Sequence, residues 1–379
     1  MDIVTRRAFP ESISPFLLGK LEELKRRHGA GSWEYLSLAR QYFHHSVESR
    51  DREDATFRHY DADLYTAHSG EEAFKGVERL YRRTILMELT TACVANCRWC
   101  LRANYQRFAL KSHQISHNVR FFGSAPLRDE ISEILITGGD PLTSIQRLEY
   151  TLDEIERHAP NIRIIRIGSR AFTQNPGLIH DDVVRVFLKH RNHFRIEFGT
   201  MINSPVEFWP ESMDAIHRLQ DIGIRFYLQH PLLKGVNDQL DILVSLYDQV
   251  RVHGIEPHYL FHCVPMSGQH HHRTSVDKGV RLIRQLTSGG HFSGRAKPRY
   301  TLMTGIGKIV LWDGVILDRD TARQRILLQS EYRLQDRLRY NPVYKLPEFS
   351  EVDAQGLLRV WYPDGEDDDF WEQPANRLV

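Results

Sequence analysis

Residues 84–102, TILMELTTACVANCRWCLR, join an apolar run to three closely spaced cysteines. The run Thr84–Leu89 is typical of a buried strand, and Cys93, Cys97 and Cys100 follow it with C-x3-C-x2-C spacing. Thiolates this close along one loop can converge on one centre, so the stretch predicts a strand that carries cluster ligands at its carboxyl end. A zinc site completed by a histidine, or three buried structural thiols, is an open alternative.

Similar apolar runs recur downstream at intervals of about 30 residues, the size of a βα unit, with an amphipathic stretch such as Ile145–His158 between runs. The candidate strands are Thr84–Leu89, Ile134–Thr137, Ile162–Ile167, Phe194–Met201, Ile224–Gln229 and His258–Cys263. This alternation predicts an α/β fold with a parallel sheet, either open or a partial (β/α)6 barrel. In both arrangements the functional residues lie at the carboxyl ends of the strands.

The pattern divides the chain into three regions. Residues 1–83 are highly charged, and the apolar spacing of Phe16–Arg27 and Trp33–Phe43 predicts a helical N-terminal region. Residues 84–290 would form the barrel. The alternation stops after Gly290, so residues 291–379 are expected to be a C-terminal extension, with β-structure from Tyr300 to Asp320 and a solvated acidic tail at 365–369.

Composition excludes several classes of protein. The 379 residues include 50 Lys and Arg against 49 Asp and Glu, which argues against a dedicated binder of nucleic acid or membrane surfaces. Three of the four cysteines share one loop, unlike a disulfide framework, and no apolar stretch approaches the roughly 20 residues of a membrane-spanning helix. We therefore expect a cytoplasmic protein.

The cysteine loop resembles that of the radical S-adenosylmethionine (SAM) superfamily, in which an aromatic residue, here Trp99, precedes the last cysteine. The resemblance implies that Cys93, Cys97 and Cys100 hold a 4Fe-4S cluster. SAM would bind the open iron and yield a 5′-deoxyadenosyl radical on reduction. The segment after the second strand, Gly138-Gly139-Asp140, is similar to the superfamily's SAM-contacting glycine segment, where glycine permits close approach of the backbone.

Further motifs, in the same order along the chain, resemble the lysine 2,3-aminomutase family, which adds pyridoxal phosphate (PLP) to radical SAM chemistry. The segments Arg166–Arg170 and Gln229–Asp238 are similar to family segments. Through them the resemblance assigns Ser169, Arg170 and Gln229 to cofactor binding.

The resemblance also implies two catalytic residues. Lys308 in Gly305-Ile306-Gly307-Lys308 would anchor PLP through its amine, and Arg102, two residues after Cys100, would hold the substrate carboxylate. Arg83, and with it Arg79, are candidates for the PLP phosphate.

Two departures from the family bear on the substrate. Family members that act on lysine pair its distal ammonium with two aspartates, and the corresponding substrate-binding positions here are Val264 and Thr301. Neither side chain can balance a buried cation, so lysine is disfavoured. The family's C-terminal zinc-binding cysteines are also missing, because no cysteine follows Cys263.

Together these motifs favour an isomerase, a radical SAM, PLP-dependent amino-acid 2,3-aminomutase. It would convert an α-amino acid other than lysine to a β-amino acid by 5′-deoxyadenosyl-radical hydrogen abstraction and 1,2-amino migration. The expected partners are a reductant such as flavodoxin or ferredoxin and further copies of the chain in a homo-oligomer, with no nucleic acid or membrane. A PLP-independent radical SAM enzyme acting on another amino acid or a peptide, and a non-enzymatic iron-sulfur or metal-binding protein, remain alternatives.

Two other features have simpler interpretations. The run His270-His271-His272 is expected to be a polar loop or a substrate-facing rim rather than a metal site, because adjacent side chains point in different directions. Cys263, at the end of the sixth predicted strand, is expected to be a buried structural thiol.

Overall fold

The computed structural model describes residues 9–49, 74–79, 81–101, 107–266, 268–292, 294–295, 297–311, 314–342, 344–368 and 370–372. Arg102, the expected carboxylate ligand, lies outside these residues. No helix among the described residues is long and apolar enough to cross a membrane.

The larger sheet is built from nine strands in chain order. They are β1 Val77–Glu78, β2 Thr84–Thr90, β3 Glu133–Gly138, β4 Ile164–Ser169, β5 Arg195–Thr200, β6 Arg225–Leu232, β7 Glu256–His262, β8 Arg299–Thr304 and β9 Gly307–Val310. Strands β2 to β8 pair in parallel with their neighbours, while β1 and β9 pair antiparallel at the two edges. Sequential parallel strands with helical connections form a partial (β/α) barrel, so the predicted fold is confirmed.

Helices precede the barrel and connect its strands. The α-helices of the described residues are α1 Pro15–His28, α2 Trp33–Ala39, α3 Ser112–Phe122, α4 Leu127–Glu130, α5 Ile145–His158, α6 Ala171–Gln174, α7 Asp181–His190, α8 Pro210–Gln220, α9 Leu240–Val252, α10 Val276–Ser288 and α11 Leu334–Tyr340. Helix α1 starts where the sequence favours a start: the Ser14 hydroxyl accepts a hydrogen bond from Leu17 N, and Pro15 occupies the first turn.

The sheet continues past residue 290, where the sequence pattern suggested that the alternation stops. Helix α10 leads into β8, which pairs in parallel with β7 through Leu260 and Tyr300, so the barrel has one parallel strand more than the six predicted. The sequence did not reveal β8 as a strand of the barrel, because Arg299–Thr304 alternates less clearly than the earlier runs: four of its six residues are buried. Strand β9 then turns back on β8, with Lys308 opposite Met303.

Alternate residues of the barrel strands have different surroundings. On β4, Ile165 and Ile167 are fully buried in the main core, where each contributes roughly 1.5–3 kcal/mol to stability. The intervening residues Ile164, Arg166 and Gly168 are only partly buried, and the first two line a cavity inside the barrel. The period-two pattern thus separates a helix-facing layer from a partly polar interior.

A second, antiparallel sheet follows the barrel in the order β10 Ile316–Asp320, β11 Arg325–Arg333, β13 Leu357–Pro363 and β12 Ser350–Val352. Its buried residues, such as Leu328 and Val360, join the main core. The prediction of a solvated tail after it holds for Asp367 and Asp368, which are exposed, but not for Gly365, which is buried, and both exposed residues contact the rest of the chain. Lys234 Nζ lies 2.7 Å from Asp368, and Ser275 N donates to Asp367 at 2.8 Å.

Candidate active site

The cysteine loop lies at the carboxyl end of β2 and is held there by the N-terminal region. Arg98 N donates to Gln41 O at 2.8 Å, and the buried Arg98 guanidinium donates to Glu48 Oε1 at 2.9 Å. Cys93 is exposed, whereas Cys97 and Cys100 are half-buried. The segment that follows α2 therefore fixes the loop.

The glycine pair after β3 is required by its closeness to the backbone that leads into Cys93. Gly138 has φ +131°, and an added Cβ would lie 2.1 Å from Thr90 O; at Gly139 it would lie 2.2 Å from Ala92 O. Gly139 N and Asp140 N donate to these two carbonyls at 2.5 and 2.8 Å. Any side chain at either glycine would push the cysteine loop away.

Asp140 connects the ends of β3 and β4. Its buried carboxylate accepts hydrogen bonds from the Ser169 hydroxyl at 2.9 Å, Arg170 N at 2.8 Å and Ala171 N at 2.9 Å. Burial raises the pKa of Asp140 to about 6, and these donors oppose the rise. In this structure Asp140 and Ser169 bind each other and hold the start of α6 beside the cysteine loop.

Two side chains from α6 and its first flanking residue reach Cys97. Arg170 Nη1 lies 3.0 Å from Cys97 Sγ, and Gln174 Nε2 lies 3.3 Å from the same sulfur. The Arg170 guanidinium also stacks over Trp99, 5.1 Å from the ring centroid. Sequence reasoning missed Gln174, although the i, i+4 spacing of Arg170 and Gln174 is a signal that both face the same side of a helix.

The three thiols are close enough to interact electrostatically. The pKa of Cys93 is raised first by desolvation and then by the negative charges of Cys100, Asp140 and Cys97. Among the described residues, no three His, Cys, Asp or Glu side chains are placed to hold a single metal ion. Ligands of a cubane bind different iron atoms and need not meet at one point.

Lys308 faces a cavity of about 690 Å³ inside the barrel. Its Nζ lies 5.1 Å from the ring centroid of Tyr259, 5.2 Å from that of Phe261 and 6.0 Å from that of Tyr81. Burial, and then the charge of Arg166, lowers the pKa of Lys308 to about 8, which Glu133 partly opposes. About a tenth of this amine is therefore neutral and nucleophilic at pH 7, far more than for an ordinary lysine with a pKa near 10.5.

The cavity is near the amino ends of the strands, away from the cysteine loop. Its lining includes the first residues of β2, β3 and β7, namely Thr84, Glu133 and Glu256. The expectation that functional residues lie at carboxyl ends therefore holds for the thiols but not for Lys308, which reaches the barrel interior from the β8–β9 hairpin.

Arginines contribute positive charge to the same cavity. Arg83 and Arg166 line it; Arg83 is exposed, and Arg166 donates to Glu133 at 2.8 Å and to Tyr227 OH at 3.0 Å. Arg79 is placed differently, because its guanidinium donates to Glu130 at 2.6 Å. Of the two arginines named from sequence for the PLP phosphate, the structure places Arg83 at the cavity.

The remaining predicted site residues lie in the barrel wall or just beyond it. Gln229 extends over Gly199, where an added Cβ would lie 2.8 Å from Gln229 Nε2. Thr301 is fully buried on β8 opposite Phe261, and Val264 is buried two residues after β7.

The histidine run is not the polar loop or rim expected from sequence. His271 and His272 are 3% and 0% exposed and pack against Trp371, with ring centroids 5.4 and 6.0 Å away. Burial lowers the pKa of His272 to about 3, so the ring is neutral. Cys263 is buried with Leu233, Val236 and Trp99, as expected.

Comparison with known proteins supports the resemblance seen in the motifs. No protein-family model matches the chain. A putative L-lysine 2,3-aminomutase of Aquifex aeolicus is 32% identical over 247 residues, covering 64% of this chain and 65% of the relative. L-lysine 2,3-aminomutase of Bacillus subtilis is 30% identical over 69% of this chain and 55% of its own length.

A protein named glutamate 2,3-aminomutase, from Clostridioides difficile, is 28% identical over 65% of this chain and 57% of its own length. The matches thus span less than two thirds of each of these relatives. Among solved structures, a radical SAM methyltransferase from Sphaerobacter thermophilus has a TM-score of 0.47 and 16% identity over 61% of this chain and 69% of its own, a likeness too low to support an inference. The resemblance to lysine and glutamate 2,3-aminomutases is confirmed.

Proposed function

We propose that the protein is a radical SAM, PLP-dependent 2,3-aminomutase that acts on an α-amino acid without a distal ammonium group. The observation that carries this proposal is that one barrel contains two sites: a three-thiol loop at its carboxyl end and a nucleophilic lysine in a cavity near its amino end. When bound, the cluster and SAM supply the 5′-deoxyadenosyl radical, and PLP supplies a ring system that stabilises a substrate radical during amino migration.

The thiol loop fits an iron-sulfur cluster. Cys93, Cys97 and Cys100 would each bind one iron, leaving the fourth for SAM. The buried cation Arg170 already donates to a sulfur, as an anionic cluster requires. Gly138 and Gly139 keep the loop against β3, and Asp140 with Ser169 fixes the backbone beside it.

The Lys308 cavity fits PLP. Its volume of about 690 Å³ lies within the range of about 300–1,000 Å³ of small-molecule sites, and its aromatic walls suit a planar ring. Lys308 would bind the aldehyde carbon, while Arg83 and Arg166 provide cations for the phosphate. Arg102 is proposed to hold the substrate carboxylate.

The substrate side chain is proposed to be neutral, or anionic and bound by a cation. Val264 and Thr301, at the positions where family members that act on lysine have aspartates, offer no negative charge, and a buried ammonium without one would be strongly disfavoured. One relative is named for glutamate, so the substrate need not carry a distal amine.

The proposal also implies an external electron donor such as flavodoxin or ferredoxin, because the cluster must be reduced for each radical to form. The exposed Cys93 gives such a donor a short path to the cluster. A reducing, cytoplasmic compartment agrees with the absence of disulfides among the four described cysteines. We propose a homo-oligomer whose interface does not use the family's C-terminal zinc site.

The test is anaerobic incubation of reconstituted, reduced protein with SAM, PLP and a panel of α-amino acids, with mass spectrometry for β-amino products. We expect a product from a neutral or acidic amino acid, and none from the Lys308→Ala variant. SAM cleavage without PLP binding would identify a PLP-independent radical SAM enzyme. A bound cluster that never cleaves SAM would identify a non-enzymatic iron-sulfur protein.

A further inference from the structure

The surroundings of Cys97 differ from those of the other two thiols. Its sulfur accepts from Arg170 Nη1 at 3.0 Å and from Gln174 Nε2 at 3.3 Å, and both donors are buried, at 6% and 2% exposure. Donors that are shielded from water act on a sulfur in a medium of low dielectric, where their electrostatic effect is strongest.

The two donors are held rigidly by the N-terminal region and by the turn after β5. Arg170 Nη2 donates to Gln41 Oε1 at 2.6 Å and to Glu207 Oε2 at 2.9 Å, and Gln41 and Glu207 hydrogen-bond each other at 3.1 Å. The Gln174 amide also approaches Tyr42 OH and Ala95 O, both at 3.4 Å. Neither side chain is free to turn away from the sulfur.

We infer that Gln174 is a positioning residue that, together with Arg170, raises the reduction potential of the cluster held by Cys93, Cys97 and Cys100. This inference rests on the proposed function, because it concerns the proposed cluster. Reduction adds one electron, and part of its charge resides on the cysteine sulfurs. An N–H donor stabilises the reduced state more than the oxidised state, so hydrogen bonds to cluster sulfurs raise the potential.

With a higher cluster potential, a weaker reductant can reduce the cluster, and the residues responsible lie outside the cysteine motif. Arg170 adds a full positive charge, but Glu207 balances it within the same network. Gln174 is neutral, so its contribution comes from the dipole of its amide alone. It is therefore the position at which the hydrogen bond can be removed without leaving a buried charge unpaired.

The experiment compares full-length wild type with Gln174→Met, Gln174→Glu and the control Gln220→Leu. Met keeps the length of the side chain but cannot donate, whereas Glu replaces the donor with an acceptor. Gln220 is a half-buried glutamine on α8 that donates to His253 O. Each chain is reconstituted anaerobically with iron and sulfide, its iron is counted, and the cluster is titrated with dithionite while the reduced form is followed by electron paramagnetic resonance.

We expect equal iron in all four proteins and potentials in the order wild type, Gln174→Met, Gln174→Glu, from highest to lowest. For Gln174→Met, reduction should be about tenfold less favourable, which is about 59 mV for a one-electron couple. Gln220→Leu should match wild type. Unchanged potentials in both Gln174 variants would overturn the inference and leave the proposed function intact. Failure of wild type itself to assemble a cluster would overturn both.

Discussion

Replacing Lys308 with methionine should stabilise the protein in the absence of PLP. The cavity lowers the pKa of Lys308 from 10.5 to about 8, and each pKa unit corresponds to about 1.4 kcal/mol. Below pH 8 the folded state therefore bears a cost of about 3 kcal/mol for holding the ammonium among Tyr259, Phe261 and Arg166. Methionine has a similar length and no charge, so Lys308→Met should recover up to that amount at pH 7.

The gain has a defined pH dependence. Between pH 8 and 10.5 the unfolded lysine binds a proton that the folded one has lost, so wild-type stability rises with pH. The advantage of Lys308→Met should therefore fall from about 3 kcal/mol at pH 7 to about 1 kcal/mol at pH 9.5. Urea unfolding of both proteins at both values measures it.

The matched control replaces a lysine that is exposed in the folded protein. Lys345 is exposed, so Lys345→Met should change the free energy of unfolding by no more than about 0.5 kcal/mol at either pH. If Lys308→Met is no more stable than wild type at pH 7, or if its advantage is the same at both pH values, the amine is not desolvated and its nucleophilicity needs another explanation.

Three further predictions concern the two halves of the site. The rate of covalent PLP attachment to wild type should rise about tenfold per pH unit and level off near pH 8, since only the neutral Lys308 amine attacks; a flat rate would contradict the lowered pKa. Gly139→Ala places a Cβ 2.2 Å from Ala92 O and should lower both the melting temperature and the iron content, whereas Gly19→Ala on α1, with nothing within 4 Å, should not. Cys93→Ser should lose the cluster, measured as iron per chain, while Cys263→Ser should retain about four iron atoms.

Strands β3 and β4 were predictable because both combine β-branched residues with burial that alternates with a period of two. Ile134–Thr137 and Ile162–Ile167 lie within two residues of β3 and β4, since their outward isoleucines must be buried whatever the rest of the chain does. Strand β8 lies in the segment predicted as β-structure, but its place in the barrel was not predicted, because it depends on the long-range pairing of Leu260 with Tyr300. The local spacing of apolar residues does not predict such long-range contacts.

In the candidate site too, features set by local spacing were predictable and features set by long-range contacts were not. The spacing of the cysteines predicted that they lie near one another, because residues within one short loop are constrained by the chain itself, and Cys97 and Cys100 do influence Cys93 electrostatically. The contacts of Cys97 with Arg170 and Gln174 join residues more than seventy positions apart, which only the fold determines. Gly138 and Gly139 were correctly read as points of close approach, but the group that approaches in this structure is the backbone at Thr90 and Ala92.

Strand β4 connects the two halves of the proposed site and gives their separation. Arg166 lines the Lys308 cavity, and Arg170 reaches Cys97. Arg166 and Arg170 are four residues apart, and because β4 ends at Ser169, a rise of about 3.3 Å per residue makes about 13 Å an upper bound for the distance between their Cα atoms. Gly168 lies between them and pairs with Gly199 on β5, while on the β3 side an added Cβ at Gly168 would lie 3.3 Å from Thr137 Oγ1.

In the proposed function, a substrate bound at Lys308 must meet the radical past Gly168. Leucine at Gly168 would obstruct this position, whereas an added Cβ alone would make one tight contact, 3.3 Å from Thr137 Oγ1. We therefore expect Gly168→Leu to cleave SAM and bind PLP but to form little β-amino product, and Gly168→Ala to retain activity. Normal product formation by Gly168→Leu would show that the two halves do not communicate along β4.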